Sequence, residues 1–338
     1  MLKSVTLAIT SATVLAISGT VAMAQSVENF YKDKTVSLLI GFGVGGGSDA
    51  WSRTLARHMG RHIPGKPNIV PQNMPGAGGL KMTNYIYNAA PKDGTVFGLT
   101  NAGIPLEPLL GGKGISFDPL KLNWIGSPDL DTTVCVARKD ASVQSLDDLA
   151  TKQLVVGASG SGGNTNIFPM FFANALGMKI KVIKGYKGTR DILLAVEQGE
   201  VMGVCSNYDP LTRQTMYKAG KLRILFQGAL QKDEKIDAPV PTKFIKTESQ
   251  RKAFSFFLAR TDLGRPFVAP PGVSKERIQA LRRAFDATMK DPGFLADAKK
   301  QRFNVVARTG EELTAIIERL YQTPEDAVRL TAKALGRK

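Results

Sequence analysis

Apolar runs and amphipathic segments alternate along this chain, and the first of them are joined by turns rich in glycine. Thr35 to Ile40 is an almost unbroken run of β-branched and aliphatic residues, which predicts a buried strand. The glycine-rich segment 41–47 follows, and a helical periodicity begins near Ala50. A second short strand, Ile69 to Asn73, leads into another glycine-rich turn, residues 75–79, which opens a helix. We predict two strand-to-helix turns side by side at one edge of a parallel sheet.

Turns of this kind leave backbone N–H groups exposed, because the first four N–H groups of a helix have no partner within it. The helix dipole adds partial positive charge at the same end. Two such turns in contact would bind an anion, so the pattern favours a negatively charged small molecule. Asp49, beside the first turn, either stabilises the start of its helix or contacts the ligand.

The alternation of strands and helices continues through the chain. The further predicted strands are 95–100, 124–127, 132–137, 153–157, 179–183, 201–205 and 222–226, and the further predicted helices are 145–150, 165–176 and 190–198. This order predicts an α/β protein with parallel sheets that are covered on both faces. A length of 338 residues predicts two domains. Trp51 and Trp124 are expected to be packing residues.

A third turn, residues 159–165, is rich in glycine and hydroxyl groups and again separates a predicted strand from a helix. Its Ser161 and Thr165 either contact a ligand or cap the helix. Thr189 is predicted as the N-cap of a later helix, and Tyr186 just before it belongs to a cleft or to the core. Because open sheets bind ligands at the carboxyl ends of their strands, we predict a site in the cleft between two α/β lobes.

The first 24 residues have the form of an export signal. Lys3 is their single charged side chain, an apolar run extends from Val5 to Val21, and residues 22–24 have the small-x-small form of a signal peptidase site. No later stretch approaches the roughly 18 to 20 apolar residues that span a bilayer. We therefore predict cleavage after Ala24 and a periplasmic mature protein.

The formal net charge of +16 is compatible with an anionic partner but identifies none. We do not expect the protein to bind nucleic acid, because it is predicted to be exported and its sequence contains no nucleic-acid recognition motif. Basic residues cluster mainly in the C-terminal region 275–302, where a solvated helix face explains them. Charge therefore adds only weak support for an anionic ligand.

Cys135 and Cys205 are the two cysteines of the chain, and both lie in predicted strands. In an oxidising compartment such a pair often forms one disulfide. We predict this disulfide, with a structural role. The alternative is two buried thiols that never meet.

Enzyme motifs are incomplete in this sequence. Segment 41–46 satisfies the GxGxxG dinucleotide pattern, but the next strand, 69–73, ends in Gln and Asn instead of the acidic residue that binds ribose. Segment 159–163 misses the GxSxG pattern of serine hydrolases, since serine occupies the first glycine position. His58 and His62 share a helix face without the glutamate of a zinc protease, so we interpret them as surface or helix-end residues. We predict that the protein is not an enzyme and that it needs no cofactor and no metal.

Six collinear motifs, which cover nearly the whole mature chain, resemble the Bug family of periplasmic solute-binding receptors, relatives of the citrate-type receptor of tripartite tricarboxylate transporters. The motifs are Gly45-Gly46-Gly47-Ser48-Asp49 with Arg53, then segments 72–79, 91–95, 159–165, 186–188 and 269–273. The chain departs from the family pattern at Val44, at Lys184-Gly185 and at segment 164–166, where the family commonly has proline, Val-Pro and a Ser and His arrangement. These positions lie beside the expected ligand, so the resemblance does not identify it.

The resemblance implies a type II periplasmic binding-protein fold, with two α/β lobes around a ligand cleft and a hinge of crossing strands. Lobe 1 would hold residues 25–131 and 246–338, and lobe 2 would hold 132–245. Family ligands are mostly small carboxylates: di- and tricarboxylates, acidic amino acids and aromatic acids. By resemblance, backbone amides of the first two turns would hold one carboxylate, and the third turn would close on it from lobe 2. The expected ligand-binding residues are Gly43, Gly45, Gly46, Ser48, Asp49, Ala77, Gly78, Ser159, Ser161, Gly162, Asn164, Thr165 and Tyr186.

The implied function is transport: the receptor would be a monomer that delivers a carboxylate to a membrane permease of large and small subunits. A sensory receptor that reports the same ligand to a membrane kinase would have the same sequence pattern. An exported enzyme is the third class, and the incomplete catalytic motifs argue against it.

Overall fold

The computed structural model describes residues 27–130, 132–159 and 163–337. The predicted signal peptide, residues 1–24, lies outside the described residues. So do Ser161 and Gly162, two of the expected ligand-binding residues.

Strands and helices alternate, as the sequence predicts. The strands are β1 (Thr35–Ile40), β2 (Asn68–Asn73), β3 (Val96–Leu99), β4 (Asn123–Ser127), β5 (Thr133–Arg138), β6 (Leu154–Ala158), β7 (Ile180–Lys184), β8 (Gly203–Asn207), β9 (Leu222–Gly228), β10 (Phe267–Ala269) and β11 (Arg308–Thr309). The α-helices whose two ends lie within the described residues are α1 (Gly47–Met59), α2 (Leu80–Asn88), α3 (Asn164–Leu176), α4 (Thr189–Gln198), α5 (Tyr208–Thr212), α6 (Thr215–Lys218), α7 (Glu248–Leu263), α8 (Lys275–Lys290), α9 (Pro292–Lys300), α10 (Gly310–Leu320) and α11 (Glu325–Ala334). Short 3₁₀ turns cover Gly60–His62, Ala77–Gly79, Ile104–Leu106, Asp147–Ala150 and Thr242–Phe244. None of the described helices is both long and apolar enough to cross a membrane.

The first sheet places the two glycine-rich turns side by side. Its described strands run in the order β11-β4-β10-β3-β1-β2. β1 pairs in parallel with β2, from Thr35 opposite Asn68 to Ile40 opposite Asn73, and β2 is the edge strand. The predicted juxtaposition of the turns at one edge is therefore confirmed.

The prediction of purely parallel sheets is wrong, because both sheets are mixed. In the first sheet β10 runs antiparallel to β3 and β4, and β11 runs antiparallel to β4. The second sheet has the order β7-β6-β8-β5-β9, in which β5 runs antiparallel to both β8 and β9. β5 is the first strand after the chain passes to the second sheet, and β10 is the first after its return, so these two strands enter from the opposite end.

The disulfide is confirmed: Cys135 on β5 is bonded to Cys205 on β8. The two residues are direct neighbours in the antiparallel ladder, and both are fully buried. The other corrections are local. The segment predicted as a helix at 145–150 is a 3₁₀ turn, and Gly188, not Thr189, occupies the N-cap of α4. Trp51 and Trp124 are buried packing residues, as predicted.

Helices α7 and α11 come after all strands of the second sheet in the sequence. They nevertheless pack against α3, the helix that follows β6 of that sheet. Phe257 of α7 stacks on Phe171 of α3 with ring centroids 4.2 Å apart. The Asn174 side chain of α3 donates to the backbone oxygen of Ala334 at 2.8 Å. On its other side, α7 contributes Phe256 to the apolar cluster of the first sheet. Helix α7 therefore belongs to both cores.

Candidate ligand site

A cavity of about 370 Å³ lies where the carboxyl ends of strands from both sheets face one another. We call this volume the polar chamber, because twelve of its twenty lining residues carry a hydroxyl, amide or guanidinium group. From the first half of the chain it receives Ser48, Thr100 and Asn101, and from the second sheet Thr165 and Asn207. A pocket with this composition suits a small polar ligand, and a neighbouring chamber described below extends it.

Three of the helices that begin at the polar chamber have glycine at the N-cap. The caps are Gly46 for α1, Gly163 for α3 and Gly188 for α4. Glycine has no side chain to accept hydrogen bonds from the first turn, so no side-chain cap competes with a ligand for the N–H groups there. The three positive dipole ends converge on one volume, which favours an anion there.

The Arg260 guanidinium, 8% exposed, is the cationic group at the centre of the cleft. Its Nη2 lies 3.4 Å from Oδ1 of Asn101 and 3.3 Å from Oδ1 of Asn164. Asn164 in turn donates to Asn207 at 2.8 Å. The guanidinium also lies above the rings of Phe168 and Phe257, with its central carbon 5.5 and 5.7 Å from their centroids. Arg260 thus touches groups associated with both sheets and is held with its planar face fixed.

A second arginine, Arg265, lines the polar chamber from the segment that links α7 to β10. It forms an ion pair with Asp129, whose side chain is 3% exposed. Burial lowers the pKa of the Arg265 guanidinium to about 10, so it still carries a full charge at neutral pH. The Arg265 backbone N–H donates to the Ser127 hydroxyl at 2.9 Å, which ties this segment to the end of β4. The polar chamber therefore contains two arginines beside the three helix termini.

Asp49 holds the first glycine turn in place. Its carboxylate accepts hydrogen bonds from the Gly45 N–H at 2.9 Å, from Nε of Arg53 at 2.9 Å and from the Asn73 amide at 2.8 Å. Asn73 also donates to the backbone oxygen of Phe42 at 3.0 Å. The carboxylate lies outside the lining of the polar chamber. Asp49 therefore fixes the turn that precedes α1, with no side-chain cap hydrogen bond to the first turn of the helix. Its contact with a ligand stays a prediction.

Replacing Asp49 by asparagine is expected to lower the free energy of unfolding by about 1–2 kcal/mol at pH 7. Burial raises the pKa of the Asp49 carboxyl, but hydrogen bonds from Arg53, Gly45 and Asn73 outweigh it, and the net pKa is lowered. The stabilisation is therefore complete above the ordinary pKa of 3.8 and is lost as the pH falls through the lower folded value.

Urea unfolding at pH 7 and pH 3 measures this effect, and Asp49→Asn should lose less stability on acidification than the parent protein. The matched control is Asp118→Asn, because Asp118 pairs with Lys121 at an exposed site. Equal stability of the Asp49 variant and the parent at both pH values would contradict the role assigned to Asp49.

Eleven of the thirteen expected ligand-binding residues lie in the described part of the chain, and six of them line the cleft. Ser48, Ser159, Asn164 and Thr165 line the polar chamber, while Ala77 and Gly78 line the neighbouring chamber together with Ser159. Thr165 accepts a hydrogen bond from the Ser159 N–H at 3.0 Å, so it stabilises the third turn as well as lining the cavity. The residues outside both linings are Gly43, Gly45, Gly46, Asp49 and Tyr186.

Tyr186 makes its hydrogen bond outside the cleft. The Tyr186 hydroxyl donates to Glu200 at 2.6 Å, and this hydrogen bond, with burial, raises the pKa of Tyr186 to about 12.

The two histidines lie near acidic residues. Nε2 of His58, in the last turn of α1, lies 3.1 Å from the Asp297 carboxylate, and Nε2 of His62, in the 3₁₀ turn that follows, lies 3.1 Å from the Asp291 carboxylate. Within the described part of the chain, no group of three or more His, Cys, Asp or Glu side chains could hold a metal ion.

Arg260, Arg265 and Asn101 are site residues that the sequence did not reveal. Arg260 lies in a helix that was not predicted from the sequence, and it packs against Phe168 from a distant segment. For Arg265 there was one local signal in the sequence. The pair Arg265-Pro266 lies only a few residues before the motif 269–273, which is part of the family pattern.

The sequence matches the family model described as "Tripartite tricarboxylate transporter family receptor" over residues 52–325. A relative from Cupriavidus necator, described as a UPF0065 protein in the gbd 5′ region, is 27% identical over 319 residues, which span 88% of this chain and 90% of the relative.

Solved structures agree with the family model. A TctC solute-binding protein from Polaromonas superposes with a TM-score of 0.67 at 18% identity, covering 88% of this chain and 99% of that one. The periplasmic binding protein BugD has a TM-score of 0.63 at 22% identity, covering 90% and 98%. MatC from Rhodopseudomonas palustris, solved with bound malate, has a TM-score of 0.63 at 19% identity, covering 87% and 99%. The first two are described as a solute-binding protein and a periplasmic binding protein, and the family model describes a receptor. The chain thus has the fold of the periplasmic binding proteins and belongs to the tripartite tricarboxylate transporter receptor family.

Proposed function

We propose that this protein is a periplasmic receptor that binds a small carboxylate between its two lobes and delivers it to a tripartite tricarboxylate-type permease. The single observation that supports the ligand class most directly is the polar chamber, where three glycine-capped helix termini and two arginines surround one cavity. A carboxylate satisfies N–H donors and guanidinium groups at the same time. The malate bound to a family neighbour is a ligand of this kind.

The lobes in this proposal follow the sheets, with residues 25–131 and 246–338 in lobe 1 and 132–245 in lobe 2. The turns of α1 and of residues 77–79 come from lobe 1, and the first turns of α3 and α4 come from lobe 2. A ligand held first by lobe 1 gains contacts with lobe 2 only when the cleft is closed. Its binding therefore favours the closed form. The closed, monomeric receptor would then present a surface spanning both lobes to the large and small permease subunits.

A thermal-shift screen of the mature protein, refolded to remove any co-purified ligand, tests the ligand class. We expect one group of carboxylates to raise the unfolding midpoint by several degrees, because a ligand that binds only the native state stabilises it. Neutral sugars and nucleotides are the controls and should leave the midpoint unchanged. Stabilisation by sugars or nucleotides alone would contradict the proposal.

A further inference from the structure

A second chamber of about 610 Å³ continues from the polar chamber. Five residues line both chambers, so the two volumes form one continuous cleft: Phe42, Asn101, Ser159, Gly163 and Arg260. The walls of the second chamber are different in character. They consist largely of aliphatic side chains: Leu80, Ile104, Leu106, Leu110, Ile167 and Leu335. We call this volume the apolar chamber.

Charged groups also line the apolar chamber. Glu107 is engaged by Arg337 through two hydrogen bonds of 2.8 and 2.9 Å, which offset its negative charge, and Lys187 is a further cation of this lining. Arg260 lies at the junction with the polar chamber. The glycine-capped helix ends of the polar chamber add partial positive charge on that side. The anionic group of a ligand is therefore placed at the junction and in the polar chamber.

We infer that the ligand of this receptor is a carboxylate with an apolar body, such as an aryl group, and that the body occupies the apolar chamber. The inference rests on the proposed function and narrows its ligand class. A short polar acid would fill the polar chamber and leave the aliphatic walls without contact. Since burial of apolar surface against the aliphatic walls is favourable, the aryl-bearing acid gains affinity that the short acid lacks.

Isothermal titration calorimetry on the refolded mature protein tests this with a library of carboxylates in head-matched pairs. The library includes mandelate with lactate and phenylsuccinate with succinate, so that only the substituent differs within each pair. For each pair that binds, we expect the dissociation constant of the aryl-bearing acid to be at least tenfold lower than that of its unsubstituted partner. Equal or tighter binding of the unsubstituted members would overturn this inference and leave the proposed function intact. Failure of every carboxylate to bind would overturn both.

A variant of the chamber wall provides an independent test. Leu80, the half-buried first residue of α2, faces the apolar chamber, and Leu80→Gln should weaken binding of the aryl-bearing acid three- to tenfold. Binding of its unsubstituted partner should change less than twofold. The matched control is Leu194→Gln, since Leu194 is a helical leucine, 55% exposed, outside both chambers. An equal loss of affinity for both members of a pair would overturn the inference.

Discussion

Replacing Arg260 by glutamine is expected to weaken carboxylate binding about a hundredfold, which corresponds to about 2.7 kcal/mol. Arg260 is the cation that lines both chambers, and its guanidinium is 8% exposed. A carboxylate bound there would be desolvated and would receive charge-assisted hydrogen bonds, which are stronger than neutral ones. Glutamine retains an amide NH2 group, but it has neither the charge nor the two parallel N–H donors on separate nitrogens of a guanidinium. Most of the loss should therefore appear as faster dissociation of the ligand.

Two further variants separate charge from geometry. Arg260→Lys keeps the charge but cannot donate two parallel hydrogen bonds, so its affinity should lie between those of the parent and of Arg260→Gln. The matched control is Arg251→Gln on the same helix, because the Arg251 side chain is 64% exposed and lies outside both chambers. Calorimetric titration with the best carboxylate of the screen gives the three affinities. If the dissociation constant of Arg260→Gln equalled that of the parent, Arg260 would not contact the carboxylate.

Breaking the disulfide between Cys135 and Cys205 is expected to lower the free energy of unfolding by about 4 kcal/mol. The two cysteines are 70 residues apart in sequence, and the chain-entropy model gives about this value for a closed loop of that length. Both cysteines are fully buried and the bond joins neighbouring strands of the second sheet. The bond therefore restricts the unfolded chain across most of the segment that forms this sheet.

Urea unfolding in the presence and absence of a reductant measures this contribution. The double variant Cys135→Ala/Cys205→Ala is the matched control, since it lacks the bond and its stability should not respond to the reductant. The reduced parent protein and the double variant should unfold at similar urea concentrations, well below the oxidised parent. If reduction left the midpoint of the parent unchanged, the bond would have no stabilising role.

Local sequence pattern predicted most strands and helices up to residue 226, but not their pairing or the individual elements that follow. β1 was predicted with the observed bounds, Thr35–Ile40, because a run of β-branched and aliphatic residues between polar neighbours has few alternatives. The mixed sheets were missed because β10 inserts between β3 and β4, which precede it by more than 130 residues. The local sequence of β10 does not indicate which distant strands it pairs with.

The candidate site shows the same division. The glycine turns were predicted, since their backbone chemistry is visible in composition. The positions of single side chains were not, because they depend on packing: Asp49 is directed toward Gly45 and Asn73, while Arg260 is held in the cleft by the rings of Phe168 and Phe257. A charged residue in an amphipathic helix has the same appearance in sequence whether it faces solvent or a ligand.

Helix α7 has a consequence for how the molecule unfolds. Its Phe257 and Leu258 belong to the apolar cluster that covers the second sheet, while its Phe256 and Leu263 belong to that of the first. Its Gln250 also donates to the backbone of Ala175 in α3 at 2.8 Å. Unfolding of either sheet would therefore remove packing partners of α7, and with them part of the apolar cluster of the other sheet. The two sheets are thus separate in geometry but share the cover that α7 provides. We therefore expect them to unfold together, and we expect the second sheet to lack a complete core as an isolated fragment.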